Sequence, residues 1–223
     1  MTIKLFIQAI TKFLLGVVLV GLLIFLPAGT LLFKNGLLFM GILFVPMFLA
    51  GIVIMFKNPE LLKKRLNAKE EQKEQSFVVK LSGLMFIVGF IVAGTGFRFS
   101  WYTLPKSVVI VATVVFLTAY ILYAEVLREN TYLSRTIEVQ KDQKVIDTGL
   151  YGIVRHPMYS ATLLLFVSIP LVLGSIYSFL VFLVYPFIIA KRIKGEEEFL
   201  EKELDGYCDY KQKVKYRLIP FVW

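Results

Sequence analysis

Two short polar clusters carry the residue types that could do chemistry in this chain. The first is Arg155-His156-Pro157-Met158-Tyr159, with Gly149 and Tyr151 just before it; the second is Arg192-Ile193-Lys194-Gly195-Glu196-Glu197. A guanidinium meets a carboxylate through two parallel hydrogen bonds. A glutamate accepts from an ammonium, and tyrosine rings stack on a purine or face a cation. Brought together, these groups could hold a zwitterion. Kept apart, the same Arg, His and Tyr are ordinary anchors at a membrane surface, and the Glu run is a solvated helix face. The run between them, Met158 to Ala190, has no charged residue. Whether the clusters meet depends on how often that run crosses lipid.

The elements that must position them are helices in a bilayer. Of the 223 residues 57% are hydrophobic, above the roughly 45–50% of soluble domains. Several apolar windows reach about 20 residues, the length that crosses roughly 30 Å of hydrocarbon. The spacing predicts spans near Phe13–Phe33, with Pro27 a kink, Leu37–Phe56, Phe77–Phe97 and Ser107–Leu127, with Lys34-Asn35-Gly36 as the first tight turn. The N-terminal run has no small-residue cleavage site and precedes further spans, so it reads as a span and not as a cleaved signal. Asn58-Pro59-Glu60 reads as a helix start. It is followed by a short segment with Leu61, Leu62 and Leu66 that is either an amphipathic surface helix or a solvated connector. Lys80 can snorkel from the start of its span, and Trp101 and Tyr102 are interface anchors. Thr136 to Gln140 alternates like a short strand, followed by a turn at Lys141-Asp142-Gln143.

Charge sets the orientation. With the N-terminus inside, residues 1–12, 57–76, 128–156 and 191–223 hold all of the 25 Lys and Arg except Lys34, Lys80, Arg98 and Lys106. Lys and Arg favour cytoplasmic loops, so 128–156 and 191–223 share a side and the run between them crosses an even number of times. Pro170 and Gly174-Ser175 break it near the middle. Two helices of about 16 residues, each about 24 Å long at 1.5 Å per residue, make a short tilted hairpin. The expected fold is therefore all-α and polytopic, with about four transmembrane helices plus a C-terminal helical hairpin. It forms one membrane domain, with residues 1–127 the N-terminal spans and 128–223 the core, and both termini and the polar clusters are cytoplasmic.

Several function classes lose support. The net charge of +9 follows from basic loops and does not point to nucleic acid. The single Cys208 excludes an internal disulfide and a Cys-rich metal site, and one His leaves little for a His-based centre. Ionisable residues are nearly absent from the span interiors and no inverted repeat is evident, against a small transporter. A noncatalytic membrane protein is opposed only by the intact clusters themselves.

The pattern Gly149-x-Tyr151-x-x-x-Arg155-His156-Pro157-x-Tyr159, an apolar hairpin, then Arg192-Ile193-x-x-Glu196-Glu197-x-x-Leu200 resembles the isoprenylcysteine carboxyl methyltransferase and phospholipid methyltransferase superfamily. The tail Gly206-Tyr207-Cys208-Asp209-Tyr210, with Val214 and Tyr216-Arg217-Leu218-Ile219-Pro220, adds to a likeness covering about residues 125–223. The resemblance implies an integral membrane methyltransferase that uses S-adenosylmethionine, releases S-adenosylhomocysteine and binds the cofactor in a cytoplasmic pocket of this half. The chain has no glycine-rich dinucleotide fingerprint, which agrees. Carried over, His156, Tyr159 and Glu197 would contact the cofactor, with Tyr151, Pro157 and Glu196 beside them. Arg155 or Arg192 would bind a cofactor or substrate carboxylate, and Asn130 would line the pocket. Glu196 or Glu197 would take a proton from an ammonium acceptor. The acceptor would be lipophilic or lipidated and would enter from the bilayer, as for the prenylcysteine O-methyltransferases, with phospholipid, small amine or thiol acceptors as alternatives. Leu150 and Ala161 replace the family's frequent Pro and Gly, and Leu204-Asp205-Gly206-Tyr207 replaces its Phe-Gly tail. These departures spare the cofactor site and bear on the prenylcysteine substrate. The methyl acceptor and the oligomeric state stay open.

Overall fold

A computed structural model describes residues 3–66, 73–134 and 136–223 of the chain. Its elements are α1 (Ile3–Ala28), α2 (Lys34–Lys57), α3 (Pro59–Leu66), α4 (Lys73–Arg98), α5 (Lys106–Glu129), a 3-10 turn (Gly149–Gly152), α6 (Pro157–Val172), α7 (Ile176–Phe182), α8 (Tyr185–Glu203) and α9 (Tyr207–Lys213). The all-α reading holds. Helices α1, α2, α4, α5 and the α7–α8 unit Ile176–Glu203 are long and apolar enough to cross a membrane. Their outward faces carry exposed side chains such as Leu15, Leu26, Ile110, Ile121 and Phe187, which suit lipid as a solvent.

The core is aromatic. Phe39, Phe116 and Phe182 are fully buried, Phe39 meets Phe116 edge-on at 5.9 Å, and Phe86 meets Phe182 at 5.4 Å. Two glycines let α4 sit at its centre. A Cβ at Gly94 would lie 2.3 Å from the Ile24 carbonyl oxygen of α1, and one at Gly89 would lie 2.3 Å from the Phe182 ring. Small residues at such crossings let helix backbones approach closely.

Two local expectations change. The first turn lies at Gly29–Phe33 and not at Lys34-Asn35-Gly36, which open α2. Gly29 has φ 69 and stops α1 directly after Pro27, which occupies its final turn. Residues 136–140 form no strand: among the described residues the only β contact is an isolated bridge between Thr103 and Ser175. Alternation without a neighbouring strand has no ladder to join. The Thr136 amide instead donates to Ser134 Oγ, and the Gln140 amide to Gln143 Oε1. The turn at 141–142 is present, with Asp142 at φ 57.

Helix α3 is a real element and is amphipathic toward protein. Asn58 Oδ1 accepts from the Leu61 amide at 3.0 Å, a side-chain cap, and Leu61 and Leu62 are buried. Arg65 donates to the Tyr123 hydroxyl and lies over its ring, while Lys12 Nζ donates to the Leu66 carbonyl at 2.6 Å. The helix therefore straps the same ends of α1 and α5. Residues 67–72 of the connector, with Lys69, and also Arg135 among the counted charges, lie outside the described residues.

The hairpin that decides the site is present. Pro157 opens α6 at its first turn. The helix ends at Val172, Gly174 turns at φ 74, and Ser175 caps α7 by accepting from the Ser178 amide at 3.2 Å. The Leu104 amide donates to the Gly174 carbonyl and ties the α4–α5 loop to this turn. Pro186 interrupts the hydrogen-bond ladder between α7 and α8. Helix α8 then returns to Arg155, and past Ala190 it continues as a polar helix to Glu203. The two clusters share one end of the molecule.

Candidate functional site

The return of α8 builds a buried ionic knot. The Arg155 and His156 amides donate to the Tyr216 and Arg217 carbonyls at 2.9 Å each, laying the C-terminal tail along the entrance to α6. Glu197 closes the knot. Its Oε1 accepts from Arg155 Nε at 2.8 Å and lies 3.2 Å from His156 Nε2, and its Oε2 accepts from Arg217 Nε at 2.9 Å. Arg155 Nη1 donates to the Val214 and Lys215 carbonyls. Glu197 is 2% exposed. Burial alone would raise its carboxyl, but the hydrogen bonds from His156 and Arg155, with Arg217 behind them, outweigh it and bring the group down to about 2 from an ordinary 4.5.

The neighbouring carboxylate does something different, and helix geometry is the reason. Consecutive residues of an α-helix point about 100° apart. Glu196 follows Arg192 by four positions, so the two lie on one face, while Glu197 follows the fully buried Ile193. Glu196 Oε2 accepts from the Tyr159 hydroxyl at 2.5 Å, and that hydroxyl accepts from Arg192 Nε at 2.9 Å. Arg192 Nη1 reaches Gln75 Oε1 on α4 at 3.4 Å. The Tyr159 and His156 rings stack with centroids 5.7 Å apart.

The opposite wall comes from residues 130–134 and 136–151. Gly149, at φ 55, lets the chain turn so that both Glu129 carboxylate oxygens accept from the Leu150 amide, at 3.2 and 3.0 Å. Tyr151 is thereby held: its hydroxyl accepts from Asn130 Nδ2 at 3.0 Å, and its carbonyl accepts from the Tyr210 hydroxyl at 2.8 Å. Burial pushes the Tyr151, Tyr207 and Tyr210 hydroxyls above the ordinary phenol value of 10, so all three keep their protons as donors.

Between these walls lies a partly open cleft of about 110 Å³. Of the residues singled out from sequence, Tyr151, Arg155, His156, Tyr159, Arg192 and Glu196 line it. Asn130, Pro157 and Glu197 do not: Asn130 holds Tyr151, Pro157 starts α6, and Glu197 is enclosed by its cations. Sequence reasoning did not single out Glu138, Lys144 and Met158 on the lining, nor Gln75 behind Arg192. Tyr207 and Tyr210 stood in the quoted tail pattern but had no role attached. Only the polar character of 136–145 could have signalled the first two, and nothing local marks Gln75, which lies 117 positions from its partner. Among the described residues no three His, Cys, Asp or Glu come together as a metal site.

Gly195 gives this wall a test. A Cβ there would stand 2.4 Å from Gln75 Nε2. The Gly195→Ala variant is expected to displace the amide, loosen Arg192 and Tyr159, and lower the affinity for a ligand of the cleft by about tenfold, the order of one weakened charge-assisted hydrogen bond. The melting temperature should move little, because the obstructing atom ends a side chain. Parent affinity in that variant would show that Gln75 does not position the wall.

Comparison with known proteins agrees with the pattern. Residues 107–205 match the model of the family described as phospholipid methyltransferase. The resemblance read from the sequence thus holds over the segment containing α5, the Gly149–Tyr159 cluster, the hairpin and both glutamates. No curated protein matches the chain.

Proposed function

We propose, from the premise that residues 107–205 form a membrane methyltransferase core, that the cleft binds S-adenosylmethionine and that the chain methylates a lipophilic acceptor presented by the bilayer. The observation that carries this reading is the Arg192–Tyr159–Glu196 chain in the cleft wall. It sets a carboxylate, a guanidinium and a phenol ring side by side, where a sulfonium amino acid presents one cationic centre, one ammonium and one carboxylate. The donor set fits that group: Glu196 suits the ammonium, Arg192 or Arg155 the carboxylate, and the faces of Tyr151, Tyr159 and Tyr207 the cation. Once bound, the cofactor would supply a methyl group on a positively charged sulfur, whose departure needs no acid.

The chain's own task is then to orient both partners and exclude water, which can be worth about 7–11 kcal/mol. Glu197 works as a positioning residue, because its oxygens are committed to two guanidiniums and the His156 ring, and its low affinity for protons makes it a poor base. Glu196 is the carboxylate placed to accept a proton from an ammonium acceptor; a carboxylate or thiolate acceptor would need none. The reading closest to the prenylcysteine O-methyltransferases and the phospholipid or small-amine reading differ at this one step. The basic loops favour a cytoplasmic site with both termini on that side. Residues 1–127 act as the part of the single membrane domain that flanks the acceptor.

Calorimetry with S-adenosylmethionine and S-adenosylhomocysteine on detergent-purified protein tests the reading. Micromolar binding is expected, weakened at least about tenfold in Glu196→Gln, with the melting temperature nearly unchanged because Glu196 is only partly buried. Absence of binding to folded protein in lipid overturns it.

A further inference from the structure

Tyr207, at the start of α9, lines the cleft and is 4% exposed. Its hydroxyl is buried and has no hydrogen-bond partner among the described residues. Every other hydroxyl around it is used: Tyr210 donates to the Tyr151 carbonyl, Tyr151 accepts from Asn130, and Tyr159 bridges Arg192 and Glu196. A stranded buried donor is costly and rare in native structures, so the single exception, on the wall of the cleft, calls for a partner that binds there.

We propose that Tyr207 is a ligand-contacting residue whose hydroxyl donates a hydrogen bond to an uncharged acceptor atom of the molecule held in the cleft. This rests on the reading that the cleft takes a nucleoside-bearing sulfonium cofactor. The charge of the surroundings sets the class of acceptor. Tyr207 lies in the field of Glu197 and Glu196, with Arg155 as the counterweight. Two carboxylates disfavour an anionic partner, and a buried phenol that keeps its proton offers a donor. The matching atoms are a ring nitrogen of the base or a hydroxyl or ring oxygen of the sugar. Tyr207 thereby fixes the nucleoside end, while Arg192, Tyr159 and Glu196 face the amino-acid end.

The test pairs Tyr207→Phe with Tyr210→Phe on full-length protein in detergent. Tyr207→Phe removes an unsatisfied donor and nothing else. It is expected to raise the melting temperature without ligand and to weaken S-adenosylhomocysteine about tenfold by calorimetry. Tyr210→Phe removes a made hydrogen bond and is expected to lower the melting temperature. If Tyr207→Phe binds S-adenosylhomocysteine within twofold of the parent, the hydroxyl serves an ordered water or nothing, and the assignment falls while the cofactor reading stands. If the parent itself does not bind, the cofactor reading falls and the Tyr207 assignment falls with it.

Discussion

Replacing Glu197 by Gln is expected to destabilise the protein by about 3–5 kcal/mol, the usual result of removing one partner from a buried ionic cluster. The amide keeps the shape of the side chain but removes the charge that Arg155, His156 and Arg217 share, and its NH2 group would face a donor on one side or the other. Arg155 is 6% exposed and cannot turn to water. The same guanidinium holds the Val214 and Lys215 carbonyls, and Glu197 itself holds Arg217, so trypsin should cut after Lys213, Lys215 or Arg217 far faster in the variant. The pH dependence follows the same carboxyl. Its value is depressed in the folded protein, so its contribution is complete above about pH 4.5 and is lost as the pH falls toward 2. In the variant that acid-sensitive component should be missing. A parent-like melting curve and parent-like trypsin resistance would show that the knot is incidental.

The second large effect is expected at Gly149. A Cβ there would stand 1.7 Å from Glu129 Oε1, on a residue at φ 55. Alanine pays about 1–2 kcal/mol for left-handed backbone. It also displaces a carboxylate that accepts from the Leu150 amide, a charge-assisted bond worth about 1.5–3 kcal/mol. The Gly149→Ala variant should therefore lose about 3 kcal/mol of stability and free Tyr151 from its place in the wall. Gly152→Ala is the control: its Cβ would meet only the Asp147 carbonyl, at 3.1 Å, without positive φ. Equal melting temperatures for the two variants would remove the special role of Gly149.

The hairpin was legible because its determinants are local: an uncharged run, Pro170 and Gly174 in its middle, and basic segments at both ends. The motif residues Arg155, His156, Tyr159, Arg192 and Glu196 follow from it. The split between Glu196 and Glu197 was only half legible. Their 100° separation is a property of any helix, but which of the two turns inward depends on the tail that supplies Arg217. Gln75 was out of reach, since only the packing of α4 on α8 brings it to Gly195. The Thr136–Gln140 alternation misled because a strand is a relation between two segments, and among the described residues no second segment pairs with it. The end of α1 was placed at Phe33 because Lys34-Asn35-Gly36 carries turn residues, whereas the stop is the left-handed Gly29 four residues earlier.

Helix α6 has 16 residues, about 24 Å, against roughly 30 Å of hydrocarbon. Of its residues only Leu164 is exposed, so its neighbours, not lipid tails, meet its short ends. A helix shielded in this way can start below the level at which the outer helices leave the acyl chains, and Arg155 and His156 sit at that start. On the proposed reading, a chain-bearing acceptor would then reach the cleft while its tail stays dissolved among its neighbours. Drawing a 14-carbon chain fully into water would cost on the order of 11 kcal/mol at about 0.8 kcal/mol per CH2. On the proposed reading a recessed floor would remove that extraction step, and selection among acceptors would fall to the head that arrives at the cleft rather than to the length of the tail left behind.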